Sequence, residues 1–154
     1  MYSLLLFSHS LVRWFVLISL IFSIYKGSVG WLRNKKFSKT DNFFRHLTAT
    51  ISHIQLTFGY FLYFNSPIIK AFGVNFRDGI NNSELRFFSV IHPSLMFISI
   101  VFITLGSSIA KRKENDTEKF KTMTIYFLIA FLIILIAIPW SFSPFANRPY
   151  FRGF

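Results

Sequence analysis

The sequence contains no cysteine, and only six of its 154 residues are aspartate or glutamate. The absence of cysteine excludes disulfides, thiolate metal sites, iron–sulfur clusters and covalently attached c-type haem. The acidic residues lie in predicted loops or at their edges, and no phosphate-loop, zinc-protease or paired-carboxylate motif is present. Any cofactor would therefore bind through histidine, methionine, tyrosine or a carboxylate.

Apolar residues are abundant and gather in long runs. Hydrophobic residues make up 53% of the chain and charged residues 15%, which argues against a disordered chain or an ordinary soluble domain. A bilayer core about 30 Å thick needs roughly 20 apolar residues of helix. We therefore predict an all-α integral membrane four-helix bundle, formed by residues 1–154 as one domain. Its predicted spans are Tyr2–Tyr25, Phe43–Phe64, Phe87–Ala110 and Met123–Phe142.

The positive charge is concentrated in two segments. Of 17 lysines and arginines, eleven fall between Lys26 and Arg45 or between Lys111 and Lys121, two loops on one side of a four-span protein. The positive-inside rule assigns that side to the cytoplasm, which places both the N-terminus and the C-terminus outside. We interpret the net charge of +11 as a topology signal with a contact to anionic lipid, and we expect no nucleic-acid partner. The tail Pro144–Phe154 is predicted to be an interfacial anchor or a partner-binding strip.

Ionisable residues inside a membrane span are costly and usually face the interior of the bundle. The first predicted helix carries His9 and Arg13, the second carries His46 and His53, and the third carries His92. The fourth helix has none. Each of these residues is therefore a candidate functional residue.

Polar and small residues recur along one face of each of the first three helices. His9 and Arg13 share a face of the first helix. The second helix carries a polar stripe of His46, Thr50, His53 and Thr57, and the third a stripe of Ser89, His92, Met96, Ser99, Ile103 and Gly106. Because lipid solvates such faces poorly, we expect all three to meet at the bundle centre, where a cofactor would bind.

Depth favours one pair of histidines. His9 lies about 10 Å from the outer end of its helix at 1.5 Å per residue, and His92 lies at nearly the same depth. Ligation of a b-type haem by two histidines needs imidazoles from different helices at one level, so His9 and His92 form the best pair. Arg13 could pair with a haem propionate or a quinone oxygen, or bond to a carbonyl of the bundle. Pro93 places His92 at the start or at a kink of its helix.

His53 and Met96 leave alternatives open. His53 has three interpretations: a haem ligand, a proton-relay or quinone-site residue, and a hydrogen-bonded core histidine. Met96 lies one turn beyond His92, and a thioether with imidazoles also suits copper. A small transporter or metal handler built on these residues is therefore a further hypothesis.

Four motifs carry a resemblance to a family. His9–Trp14, His53–Gly59, His92 and Ala137–Trp140 together resemble the small four-span bacterial membrane proteins often labelled cytochrome B, over nearly the whole chain. The resemblance implies a multi-pass protein of the bacterial inner membrane that binds haem b.

A more distant resemblance is to half of haem A synthase. In that family a histidine near an arginine, a Gln-x-x-x-Gly helix and a later histidine recur in order, as His9, Gln55 with Gly59, and His92 do here. The resemblance implies that the two histidines ligate haem. Because the chain has a single half and no obvious catalytic carboxylate in its outer loop, we expect haem binding without synthase activity.

The resulting hypothesis is a cytochrome b-like electron-transfer subunit, rather than a self-sufficient enzyme, with a quinone or a larger respiratory or membrane complex as its partner. The alternative is a cofactor-free structural or accessory subunit of such a complex, since small and polar residues hold membrane helices together without any cofactor.

Overall fold

The computed structural model describes residues 2–141, 143 and 146. The predicted all-α class is confirmed for this part of the chain, which contains no β-strand. In chain order the elements are α1 (Tyr2–Leu32), α2 (Lys39–Asn65), α3 (Pro67–Val74), α4 (Phe76–Asn81), α5 (Ser83–Arg86), a π-helical segment (Phe87–Ile91), α6 (His92–Arg112) and α7 (Asp116–Ala137).

The four long helices form a ring around one core. Helix α1 packs against α2 and α7, and α6 packs against the same two helices from the other side. The core contains apolar side chains, with Leu20, Ile103, Phe127 and Ala130 completely buried. Each long helix therefore has two helical neighbours and one outward face.

Within the described part of the chain, three helices are long and apolar enough to cross a membrane: Tyr2–Leu32, the continuous helix Ser83–Arg112, and Asp116–Ala137. Their outward faces carry large apolar side chains such as those of Ile18 and Ile136, which are 62% and 63% exposed. Such extensive exposed apolar surface is rare on soluble monomeric proteins and indicates a lipid environment.

Helix α2 contains the predicted second span, Phe43–Phe64. It is long enough to cross a bilayer at 27 residues, but it is less apolar than the other three long helices. That α2 crosses the membrane therefore remains a prediction, and so does the fourth span of the bundle.

The last long helix ends before the predicted end of the fourth span. Helix α7 ends at Ala137, not at Phe142, because Ile138 precedes Pro139 and takes an extended conformation with φ −72° and ψ 129°. The Trp140 indole N–H donates to the Leu135 carbonyl at 2.8 Å, which satisfies one acceptor at the helix end. The predicted strip Pro144–Phe154 lies outside the described residues, apart from Ala146.

A π-helical segment leads into α6 and accommodates Pro93. Proline has no N–H and crowds the carbonyl four residues before it, which here belongs to Ser89. The segment Phe87–Ile91 is wound more loosely, and the His92 N–H bonds to the Phe87 carbonyl. The Tyr63 hydroxyl of α2 donates to the Ser89 carbonyl at 3.1 Å. The π-helical segment therefore sets the position of His92, which is the first residue of α6.

Replacing Tyr63 with phenylalanine is expected to destabilise the protein by about 1–3 kcal/mol, because the Ser89 carbonyl loses its donor. The free energy of unfolding in mixed detergent, followed by circular dichroism, measures the effect. Tyr60→Phe is the matched control, since Tyr60 is 61% exposed. Equal stability of the two variants would show that this bond contributes nothing.

The two basic segments meet at one end of the bundle. The Thr117 hydroxyl donates to the Asn34 side chain at 3.2 Å, and the Lys119 ammonium group lies 5.8 Å from the centroid of the Phe37 ring. The loops α1–α2 and α6–α7 are therefore neighbours. The assignment of this end to the cytoplasm remains a prediction.

The expectation that the polar stripe of α2 faces the bundle centre was wrong. His46, Thr50, His53 and Thr57 are all exposed on the outside of the ring. A different face of α2 packs inward. It consists of polar and small side chains, which include Arg45, Thr48, Ala49 and Ser52.

Small side chains explain why this second face packs inward. The Thr48 hydroxyl lies 2.8 Å from that of Ser23 and donates to the Ser19 carbonyl at 3.2 Å, so α2 approaches α1 closely. The Arg45 guanidinium reaches α6 and donates to the Ser107 carbonyl at 2.7 Å. Because both faces of α2 are polar, hydropathy alone did not indicate which one is buried.

Candidate functional site

A cavity of about 450 Å³ lies between α1, α2, α6 and the end of α7, away from the basic loops. Volumes of roughly 300–1,000 Å³ are typical of small-molecule and cofactor sites. Most of its lining is apolar. Polar side chains from three helices also line it, among them His9, Ser10 and Arg13 of α1, Gln55 of α2 and His92 of α6.

Two histidines from different helices meet in this cavity. The ring centroids of His9 and His92 are 6.4 Å apart, and the ring planes are inclined at 68°. Helix α1 supplies His9, and the π-helical segment that precedes Pro93 sets the position of His92. The structure thus brings together the two residues that the sequence selected by depth.

His92 is oriented by a backbone carbonyl. Its Nδ1 lies 2.8 Å from the carbonyl oxygen of Ala137, the last residue of α7. A carbonyl only accepts hydrogen bonds, so Nδ1 is the protonated nitrogen and Nε2 carries the lone pair. Histidines that ligate metals usually donate their other ring N–H to such a group. Because α7 ends at Ala137, the carbonyl of this residue is available to orient His92.

His9 is enclosed by α2. The Gln55 side-chain amide donates to the His9 backbone carbonyl at 2.9 Å. Gly59, one turn further along α2, faces the imidazole so closely that a Cβ there would lie 3.3 Å from His9 Cε1. Within the described residues, His9 Nδ1 and Gln55 Oε1 are buried without a hydrogen-bond partner. Buried polar atoms are nearly always paired, so these two indicate a site for a bound group.

Arg13 lies one turn from His9 and also lines the cavity. Its guanidinium carbon is 5.3 Å from the centroid of the Trp14 ring, a cation–π distance. Trp14 in turn contacts Trp140 edge to face, with ring centroids 6.3 Å apart. The Arg13 guanidinium therefore lies near the ring of Trp14, which itself packs on Trp140.

The structure does not bring His53 to this cavity. It lies on the outside of the ring, where its Nδ1 is 2.8 Å from the Ala49 carbonyl and its Nε2 is 3.1 Å from the Thr104 hydroxyl. Both ring nitrogens are thus engaged by α2 and α6. His46 is also exposed and away from the cavity, whereas Met96 lines it one turn beyond His92.

Sequence reasoning missed two contributors to the site: the Ala137 carbonyl, which orients His92, and Tyr63, which supports the turn before it. The sequence signal for the Ala137 carbonyl was Pro139, which ends α7 and leaves a carbonyl unpaired.

No cluster of three or more histidine, aspartate or glutamate side chains that could hold a metal ion occurs among the described residues.

Comparisons of the chain with models of protein families, with curated proteins and with solved structures found no match. The site must therefore be interpreted from its own geometry.

Proposed function

We propose that the protein is a cytochrome b-like electron-transfer subunit of the bacterial inner membrane that binds one haem b between His9 and His92. In this proposal α2 is the fourth span, and both termini lie outside the cytoplasm. The observation that carries the proposal is the pair of imidazoles, 6.4 Å apart, in a largely apolar cavity.

The residues present suit such a group. Metal–imidazole bonds of about 2.0–2.1 Å on both sides of one ion place two ring centroids about 6 Å apart. The separation of His9 and His92 agrees with that requirement. The fixed tautomer of His92 agrees with it as well, and the lack of a side chain at Gly59 makes room for the His9 imidazole.

Haem b, when bound, supplies one-electron redox chemistry. The protein supplies the environment that tunes it. The bond from His92 to the Ala137 carbonyl increases the basicity of the imidazole, and the apolar lining excludes water. Arg13 places a positive charge beside the cavity, where it can pair with a propionate of the haem or with a quinone oxygen. Electrons would pass between a quinol and a partner in the membrane or outside it.

A reduced-minus-oxidised visible spectrum of the protein purified in mild detergent tests this function. We expect a sharp α band of a low-spin b-type haem at one haem per chain. A well-folded protein without such a band, from cells that make haem normally, would contradict the proposal.

The outward stripe of α2 favours a second candidate function, that of an accessory subunit in a larger membrane complex. Polar groups facing lipid are costly, and hydroxyl and imidazole groups hold membrane helices together. Replacing Thr50 and Thr57 with leucine should then release a copurifying membrane protein while leaving this chain folded. Unchanged copurification, or the absence of any partner from the wild-type preparation, would contradict this candidate.

A further inference from the structure

A second cavity, of about 250 Å³, opens at the basic end of the bundle, far from the histidine pair. Its lining comes from the α1–α2 loop, the start of α2, the end of α6 and the first turn of α7. The residues are Phe37, Ser38, Lys39, Asn42, Lys111 and Lys119. Lysines from three helices thus line one cavity, and no aspartate or glutamate of the described residues lines it.

The acidic residues nearby are already engaged. Asp41 pairs with Lys26 at 3.0 Å and accepts from the Ser38 hydroxyl at 2.6 Å, and Asp116 pairs with Lys119 at 3.0 Å. Lys39 and Lys111 have no carboxylate of the described residues within ion-pair distance. The cavity therefore retains uncompensated positive charge.

The walls of this cavity are fixed by packing. The Phe37 ring packs on that of Phe120, with centroids 4.8 Å apart, and the Lys119 ammonium group is 5.8 Å from the centroid of the Phe37 ring. The Asn42 side-chain oxygen accepts from Arg45 at 2.9 Å, which leaves the amide N–H groups of Asn42 as donors. The cavity thus offers two lysines without a carboxylate partner, Lys39 and Lys111, together with the ion-paired Lys119 and an amide donor.

We infer that this cavity binds a phosphate group, as carried by an anionic phospholipid at the membrane surface or by a free phosphate ion. The helix ends around it reach the level of the lipid headgroups if α6 and α7 cross the membrane. Basic pockets between transmembrane helices bind anionic headgroups by the same chemistry. This inference does not depend on haem, since it rests on the opposite end of the molecule.

The test is the binding of phosphatidylglycerol to the delipidated full chain in detergent, measured by native mass spectrometry at 0.15 M salt. At that salt concentration charges more than about 8 Å apart are largely screened, so lysines outside the cavity contribute little. We expect Lys39→Gln/Lys111→Gln to weaken phosphatidylglycerol binding roughly tenfold. Phosphatidylcholine, whose headgroup has no net charge, should bind weakly to both forms.

The matched control is Lys35→Gln/Lys113→Gln, which removes two charges from exposed positions at the same end but outside the cavity. It should leave binding unchanged, and Lys39→Arg/Lys111→Arg should restore it. Equal losses in the two glutamine variants, or no loss in either, would overturn the inference. Inorganic phosphate that displaces the lipid from the wild-type protein would identify a site satisfied by the free ion, whereas lipid binding that phosphate leaves intact would identify the headgroup.

Discussion

His92→Ala and His9→Ala are each expected to abolish haem binding, with the b-type spectrum falling to background and the helices remaining inserted. A haem held by both imidazoles would lose one of its two protein ligands when either ring is removed. The loss should be nearly complete in both variants, because the two histidines come from different helices and no third histidine lines the cavity.

The controls for this prediction are His46→Ala and His53→Ala, which remove histidines from the outside of the ring. Both should retain a full haem complement. The measurement is the haem-to-protein ratio by the pyridine haemochrome assay, with circular dichroism to verify folding. A full complement in His92→Ala would refute the proposed pair, and loss in His53→Ala alone would show that the haem site lies on the outward face of α2.

The role of His92 in haem binding can be separated from its role in folding by comparing two variants. His92→Ala leaves the Ala137 carbonyl without its donor, which costs about 1–3 kcal/mol. Asparagine at position 92 can donate to that carbonyl but ligates haem iron poorly. His92→Asn should therefore restore part of the stability without restoring the spectrum.

The sequence predicted the long helices well because their signal is local. Runs of about 20 apolar residues indicate a span regardless of the rest of the fold, and α1, α6 and α7 follow them. It also predicted that His9 and His92 would meet, since two positions at equal depth on inward-facing sides of their helices can approach each other across the bundle. The turn at Pro93 was anticipated as well, although its π-helical form was not.

The features that the sequence did not predict depend on contacts between residues that are far apart in the chain. Both faces of α2 carry hydroxyl groups, and the choice between them depends on how Thr48 fits against Ser19 and Ser23 of α1. The hydrogen bond from His92 to Ala137 joins residues 45 positions apart, and no local pattern encodes such a contact. The basic cavity likewise forms only when three helix ends converge.

Replacing Gly106 with leucine is expected to have the largest effect on folding, because α7 lies directly against α6 at this glycine. A Cβ built at Gly106 would overlap the Cβ of Tyr126 and lie 3.1 Å from its Cγ. The overlap is with the root of the tyrosine side chain, which is fixed to the α7 backbone. The helices would therefore have to separate, and their separation would disturb the buried contacts of Ile103 and Phe127.

Overpacking of this kind costs about 1–3 kcal/mol or more, and we expect Gly106→Leu to lower the thermal midpoint of the helical signal by several degrees or to prevent purification of a folded protein. Gly73→Leu is the matched control, since nothing lies within 4 Å of a Cβ built at Gly73 and leucine favours a helix more than glycine does. Its midpoint should be unchanged or slightly raised. A folded Gly106→Leu protein of wild-type stability would mean that α6 and α7 are less closely packed in the membrane than their contact at Tyr126 indicates.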